Sequence, residues 1–423
     1  MRLTLDAPFA AGWGCPPGNF ASYSACKIAN TRSCLCTSVS KCVAYGAITI
    51  TNTIKADAMN VQFPPSDRRF YQQLSQQVQH MLEQQGEAKT GNRQLWHKAL
   101  IITAIYVASY LGLLLVEPAN SLFWLLHGVA TALVGFNIMH DGAHASFSKI
   151  AWVNRCAALT FNVIGSHRFY WAQKHNRSHH SFTNVMGVDE DIDAFGLIRM
   201  SPHQAHHGFH RYQHLYVWLL YPFTSLFWFF VLDYKAYYRE KIATRQYSQS
   251  QTWHDHVEFW ASKITYLLVY LWLPAQLLGW QTTLLGFLLM HFVLGTLFAV
   301  VFQLAHVVEQ AEFPAPNQNG VLPYDWAHHQ LATTVDFAPN SRWLTWALGG
   351  LNFQLEHHLF PRISHVHYPA IHRLLCQCQQ AGQLSIKQYP TLGQAIQGHY
   401  RHLRQLGHAN TPELVSNHYT APQ

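Results

Sequence analysis

Polar and apolar positions alternate along this chain in long blocks. Five stretches, 98–116, 121–139, 215–233, 262–280 and 283–305, are apolar enough and long enough to read as helices crossing a lipid hydrocarbon layer. Such a layer is roughly 30 Å thick and takes about 20 helical residues to span. A sixth apolar stretch, 151–166, is shorter and carries Asn154 and Arg155, so it reads as an interfacial or buried helix. Before the first block, residues 59–97 form a polar segment in which Phe63-Pro64-Pro65 leads into a Gln-rich helical stretch from about Ser66 to Gly86. Residues 401–423 read as a C-terminal tail, and the catalytic membrane unit is expected over 98–400. Residues 1–58 lack sustained helical periodicity; we expect them to be a disordered or non-native extension, with translation starting at Met59.

Composition strengthens the membrane reading: 49% of residues are hydrophobic and only 12% are charged, against roughly 25% charged in ordinary soluble proteins. Cysteine usage argues against a disulfide framework. Cys15, Cys26, Cys34, Cys36 and Cys42 crowd the N-terminal zone, while Cys156, Cys376 and Cys378 are scattered through the rest, as expected for a reduced, cytoplasm-facing catalytic part. The CxC pairs lack a second pair at zinc-finger spacing.

The chemistry lies in histidines placed just beyond the apolar blocks. His140 and His144 stand in HDGAH, His175, His179 and His180 in HNRSHH, and His357 and His358 in QLEHH. Neutral imidazole suits iron, zinc and copper, and a site built almost wholly of it needs several histidines converging in space. Spacing of i and i+4 puts His140 with His144, and His175 with His179, on single helix faces. His180 falls about 100° further round an α-helix and is free to serve a second metal. His306, emerging from the last apolar block, is a further candidate ligand, and Gln354 stands where another could sit.

If all clusters build one site, they lie on one side of the membrane, and an even number of crossings separates each from the next. Three apolar blocks lie between His180 and His357, so one of them does not cross. The excess of Lys and Arg at cytoplasmic ends selects 215–233, which is flanked by Arg211, Lys235, Arg239, Lys241 and Arg245 and contains Pro222. It is expected to lie at the interface. This leaves four transmembrane helices in two hairpins, 98–139 and 262–305, under a cytoplasmic helical cap that holds the histidines. The fold class expected is an all-α membrane protein.

Other histidines compete for the role. His203, His207, His210 and His214 would share one helical stripe, but Pro202 and Gly208 interrupt it and the stripe leads into the aromatic block at 215–233, so it reads as a membrane-surface face. His328, His329, His365 and His367 read as outer contacts of the site or of lipid headgroups. Asp189, Glu190, Asp191 and Asp193 read either as acceptors for ligand N–H groups or as a solvated helix start. His127 and His291 lie well inside expected spans with no obvious partner; ionisable ligands at that depth would suit a metal transporter, the remote alternative to an enzyme.

Together HDGAH, HNRSHH, QLAHVVE and WALGGLNFQLEHHLFPRISH resemble the membrane-bound fatty acid desaturases, of the front-end group whose third histidine box begins with Gln. The likeness covers roughly residues 60–400. It implies two non-haem iron ions, use of O2, and insertion of a cis double bond into a fatty acyl chain carried on CoA or on a membrane lipid, Δ6 being the expected position. Position by position it implies His140, His144, His175, His179, His180, His306, His357 and His358 as ligands. The stearoyl-type relatives carry Asn four residues before the isolated histidine, where this chain has Phe302, so Gln303 and Gln354 become candidates to complete the second iron. No HPGG motif of a fused cytochrome b5 domain occurs here, and electrons are expected from an external ferredoxin or cytochrome b5, which the net charge of +7 suits. No nucleic-acid partner is expected. Phe302, Trp343 and Trp346 are expected to line the acyl tunnel. A di-iron lipid or carotenoid hydroxylase is the nearest alternative enzyme.

Overall fold

The computed structural model describes residues 61–65, 68–116, 120–242, 245–246 and 250–408, so the expectations for 1–58 and for Met59 lie outside the described residues. The fold is mostly helical. Among the described residues four helices are long and apolar enough to cross a membrane: α1 (Arg93–Leu115), α2 (Asn120–Ala143), α3 (Gly208–Arg239) and α4 (Trp280–His306).

Three of these coincide with expected spans. The fourth, α3, contains the block at 215–233 that was expected to lie at the interface, while the expected span at 262–280 is absent from the four. Sequence detail explains the exchange. The helix at 253–278 begins with His254, Asp255 and Glu258 and carries Lys263, which dilutes its hydropathy. α3 is richer in apolar residues but is pieced together from 3-10, α and π turns, with a 3-10 turn at Tyr221–Phe223 around Pro222, as expected where proline removes a backbone donor.

The apolar helices are joined by buried polar contacts. His127 bonds Ser109 through Nδ1 (2.9 Å) and Tyr270 through Nε2 (3.2 Å). His291 bonds Ser225 through Nδ1 (2.8 Å) and Tyr266 through Nε2 (2.8 Å). Both rings are therefore fully partnered, from other helices, and act as interhelical ties of the kind that apolar surroundings demand. Tyr266 and His291 sit at nearly equal distances along the chain on either side of Gly279, whose φ of 81° turns the chain back on itself. Close helix approach also requires glycine. A Cβ on Gly128 would meet the Met290 carbonyl oxygen at 2.6 Å, and one on Gly286 would meet the Trp124 indole.

Leu100, Ile101, Leu284, Leu285, Leu288 and Phe292 stand about half exposed or more on the outer faces of α1 and α4, an apolar belt of the kind that marks contact with lipid. Beyond the long helices, an amphipathic helix, Arg69–Gln84, buries Leu74, Val78 and Leu82 against Leu355, Leu359, Ile371 and Leu375. The strands β1 (Asp336–Phe337) and β2 (Gln388–Tyr389) pair in parallel, with Asp336 opposite Gln388. The last described helix, Leu392–His408, runs through residue 400, where the membrane unit was expected to end.

Candidate metal centre

The eight histidines expected as ligands converge. Those of HDGAH end α2, those of HNRSHH lie on the helix after 168, His306 ends α4, and His357 and His358 sit on the short helix Gln354–Leu359. Ligand nitrogens of His140, His144, His175 and His357 lie within 4.8 Å of one another, as do those of His179, His306 and His358, and those of His180, His357 and His358. All eight side chains are buried. The two main groups thus adjoin, with His180 and His357 at their border.

Two π turns arrange this. Gly135–Met139 and Gln173–His179 close i→i+5 bonds, from the His140 N–H to the Gly135 carbonyl and from the His180 N–H to the His175 carbonyl. The expected α-helical geometry in the second box, with His180 turned away from His175, is therefore replaced. The wider turn brings His175 and His180 together edge-on, Nε2 to Nε2 at 3.1 Å. Such turns recur at functional sites.

The ring nitrogens divide into held and unheld. His179 donates from Nδ1 to Asp189 at 3.0 Å, and Asp191 lies 3.3 Å from the same nitrogen. His358 donates from Nδ1 to Gln330 Oε1 at 2.9 Å, and His306 from Nδ1 to the Thr333 carbonyl at 3.2 Å. His357 Nδ1 meets the Tyr368 hydroxyl at 3.2 Å. Meanwhile Nε2 of His140, His144, His357 and His358, and Nδ1 of His180, are buried without a hydrogen-bond partner. An orphaned buried nitrogen is costly, so a cluster of them beside partner-fixed nitrogens fits a metal with oriented ligands.

Electrostatics agree. Burial, and then the neighbouring imidazoles, hold His144, His175, His180, His357 and His358 well below the ordinary histidine range, which keeps them neutral and able to donate lone pairs. His179 is the exception. Burial opposes its protonated form, but Asp189 and Asp191 outweigh that and raise its pKa.

A small apolar cavity, about 10 Å³ in volume, reaches His140. Its walls include Gly135, Phe136, Trp171, Trp228, Phe298 and Phe302. Trp171 also stacks on His175, with ring centroids 4.3 Å apart. Of the three aromatic residues expected at a tunnel, Phe302 lines this cavity. Trp343 is 77% exposed and lies outside it, and Trp346 lies under the ammonium of Lys98. The Gln354 amide donates to the Leu351 carbonyl at 2.6 Å, and the Gln303 amide to the Asp191 carbonyl at 3.3 Å.

The competing histidines pack elsewhere. Residues 203–207 are not helical, so the expected stripe does not form. His203 bonds the Phe313 carbonyl, His206 that of Gly407 and His210 that of Gly196, while the His214 ring meets Tyr400. The segment packs as a seam against the C-terminal helix. His365 bridges Asp141 (3.0 Å) and Lys98 (3.0 Å), His329 bonds the Thr183 carbonyl, and His328 bonds Asp325 at the start of its own helix. Gln330, Tyr368 and Trp171 were not singled out from sequence. Gln330 stands beside two histidines in HHQLATT, but nothing local marks its side chain as a partner of His358.

Residues 118–389 match the family described as fatty acid desaturase. The chain is 35% identical to the sn-1 linoleoyl-lipid 6-desaturase of Arthrospira platensis, over 80% of this chain and 92% of that protein. It is 33% identical to the protein of the same name from Synechocystis sp., over 81% of this chain and 97% of the relative. It is 34% identical to the acyl-lipid (8-3)-desaturase of Physcomitrium patens, over 73% of this chain and 66% of that protein.

Proposed function

This chain belongs to the fatty acid desaturase family, and on that premise we propose that it is a front-end enzyme inserting a cis double bond at the Δ6 position of a linoleoyl-type chain esterified in a membrane lipid. The 6-desaturase relatives support the position and the lipid-borne substrate. The observation that carries the chemistry is the cluster of buried, unpartnered imidazole nitrogens at the end of an apolar cavity.

The residues fit two iron ions. His140, His144, His175 and His357 would hold one, and His179, His306 and His358 the other, with His180 at the border between them. Bound iron supplies, with O2 and external electrons, the oxidising power to take hydrogen from an unactivated methylene, which no side-chain acid or base can do. The chain's own residues do the rest. Asp189, Gln330 and the Thr333 carbonyl fix the ring planes of His179, His358 and His306. Phe302, Phe298 and Trp228 present an apolar wall to the acyl chain and keep water from it, so that the position of reaction follows from where the chain is held. Gln354 acts here as a brace on the helix start through Leu351.

For the membrane arrangement we favour two hairpins, 93–143 and 253–306, under a cytoplasmic cap. The Ser109–His127 and Tyr266–His291 contacts within each pair support it, as do Arg168, Lys174 and Arg177 around the second box. α3 then lies along the cap, its kink at Pro222 fitting an interfacial course. The electron donor is an acidic ferredoxin or cytochrome b5.

The test is expression in a host fed linoleate, with double-bond location in the extracted lipids by mass spectrometry. The expected product is a triene with a new Δ6 bond in the glycerolipid fraction. A hydroxylated chain with no new double bond would overturn the reading.

A further inference from the structure

A second group of ligating side chains lies on the outer side of the third-box helix. Asp336 on β1, Glu356 on the helix Gln354–Leu359 and His372 on the helix Tyr368–Gln380 place one ligand atom each within 4.8 Å of one another. His372 Nδ1 is 2.7 Å from Glu356 Oε1 and 3.3 Å from Asp336 Oδ2. Both carboxylates are fully buried. Among the described residues His372 is the one cation ion-paired with either, so two carboxyl groups share a single imidazole in a water-poor place.

Oxygens there are short of donors. Glu356 Oε2 is buried with no hydrogen-bond partner, and so is Oε1 of Gln388, the residue opposite Asp336 in the strand pair, while Asp336 Oδ2 has only its ion-pair contact with His372. The other Asp336 oxygen accepts from the Leu355 N–H at 2.9 Å, which fixes the carboxylate's direction. The group is also reachable. His372 and Gln388 line an open cavity of about 460 Å³, together with Cys376.

We propose that Asp336, Glu356 and His372 form a binding site for one divalent first-row transition metal, separate from the histidine centre and sharing no ligand atom with it. Two carboxylates and one imidazole form a donor set that suits Mn²⁺, Fe²⁺ or Zn²⁺. A bound cation takes the place of the proton on His372 Nδ1, balances the second carboxylate and pins β1, the third-box helix and the following helix together. The backbone carrying His357 and His358 is thereby held from behind.

The test uses the full, iron-loaded chain in lipid nanodiscs titrated with Mn²⁺, following free Mn²⁺ by electron paramagnetic resonance and total metals by mass spectrometry. The expected result is one tightly held Mn²⁺ per chain with iron content unchanged, and a nitrogen hyperfine coupling from one imidazole. Asp336→Asn and His372→Gln each weaken this uptake by more than the ~10–100-fold typical of outer-shell changes. Absence of saturable Mn²⁺ uptake beyond the iron, uptake matched by iron loss, uptake undiminished in either variant, or bound Mn²⁺ without nitrogen coupling in the unaltered chain would each overturn the proposal.

Discussion

Two parts of this molecule are rich in histidine, and they behave oppositely. In 203–214 three imidazoles give a nitrogen to a backbone carbonyl: His203 to Phe313, His206 to Gly407 and His210 to Gly196. At the histidine centre one nitrogen of His179, His306 and His358 is held by a protein partner, and Nε2 of His140, His144, His357 and His358 is left without one. Number and spacing of histidines therefore do not separate a ligand set from a packing seam. What separates them is convergence: ligand nitrogens of the boxes lie within 4.8 Å of one another, whereas the buried, unpartnered Nδ1 of His214 in the seam belongs to no such group among the described residues.

The contrast is sharpest in the ligands. His179→Ala or His358→Ala should reduce desaturation to background and lower bound iron, whereas His206→Ala should leave both unchanged; metal analysis alongside product formation checks this. Retained turnover in His179→Ala would remove that residue from the set. A step smaller, Asp189→Asn keeps a hydrogen-bond acceptor but removes the charge facing His179, and iron affinity should fall by about 10–100-fold, read by competition with a chelator. Gln330→Leu removes a neutral acceptor from His358 and should cost about tenfold, at the lower end of that range. The smallest effect belongs to the seam. His210→Leu forfeits its bonds to the Gly196 carbonyl and the His207 N–H, which should lower stability by about 1–3 kcal/mol in thermal unfolding with iron content intact. A loss of iron in that variant would break the distinction.

Much of the site was legible because its ligands are short-range motifs at the ends of apolar blocks. HDGAH, HNRSHH and QLEHH stand out in any reading, and the likeness to a known family added His306, which spacing alone leaves isolated. The partners were less legible. Asp189 lies ten residues from His179 in an acidic run and reads equally well as a solvated helix start. Gln330 and Tyr368 lie on other elements, and nothing in their local sequence points to His358 or His357. The exchange of helices at 208–239 and 253–278 has a similar origin. Charge at segment ends and hydropathy within them rank the two stretches differently, and both are properties of the linear chain.

The order of apolar blocks, the histidine boxes and the reaction class they belong to are written in consecutive residues, because each depends on side-chain type and on spacings of a few positions. Which nitrogens are free is not, because it depends on what arrives from elsewhere in the chain. The π turn at 173–179 brings His175 and His180 edge to edge where an α-helix would part them. Ser109, Tyr270, Ser225 and Tyr266 convert His127 and His291 from conspicuous polar residues in apolar helices into satisfied ties. A hydrogen bond forms only where donor and acceptor meet within about 3 Å, and for residues on different helices only the packing of those helices brings that about.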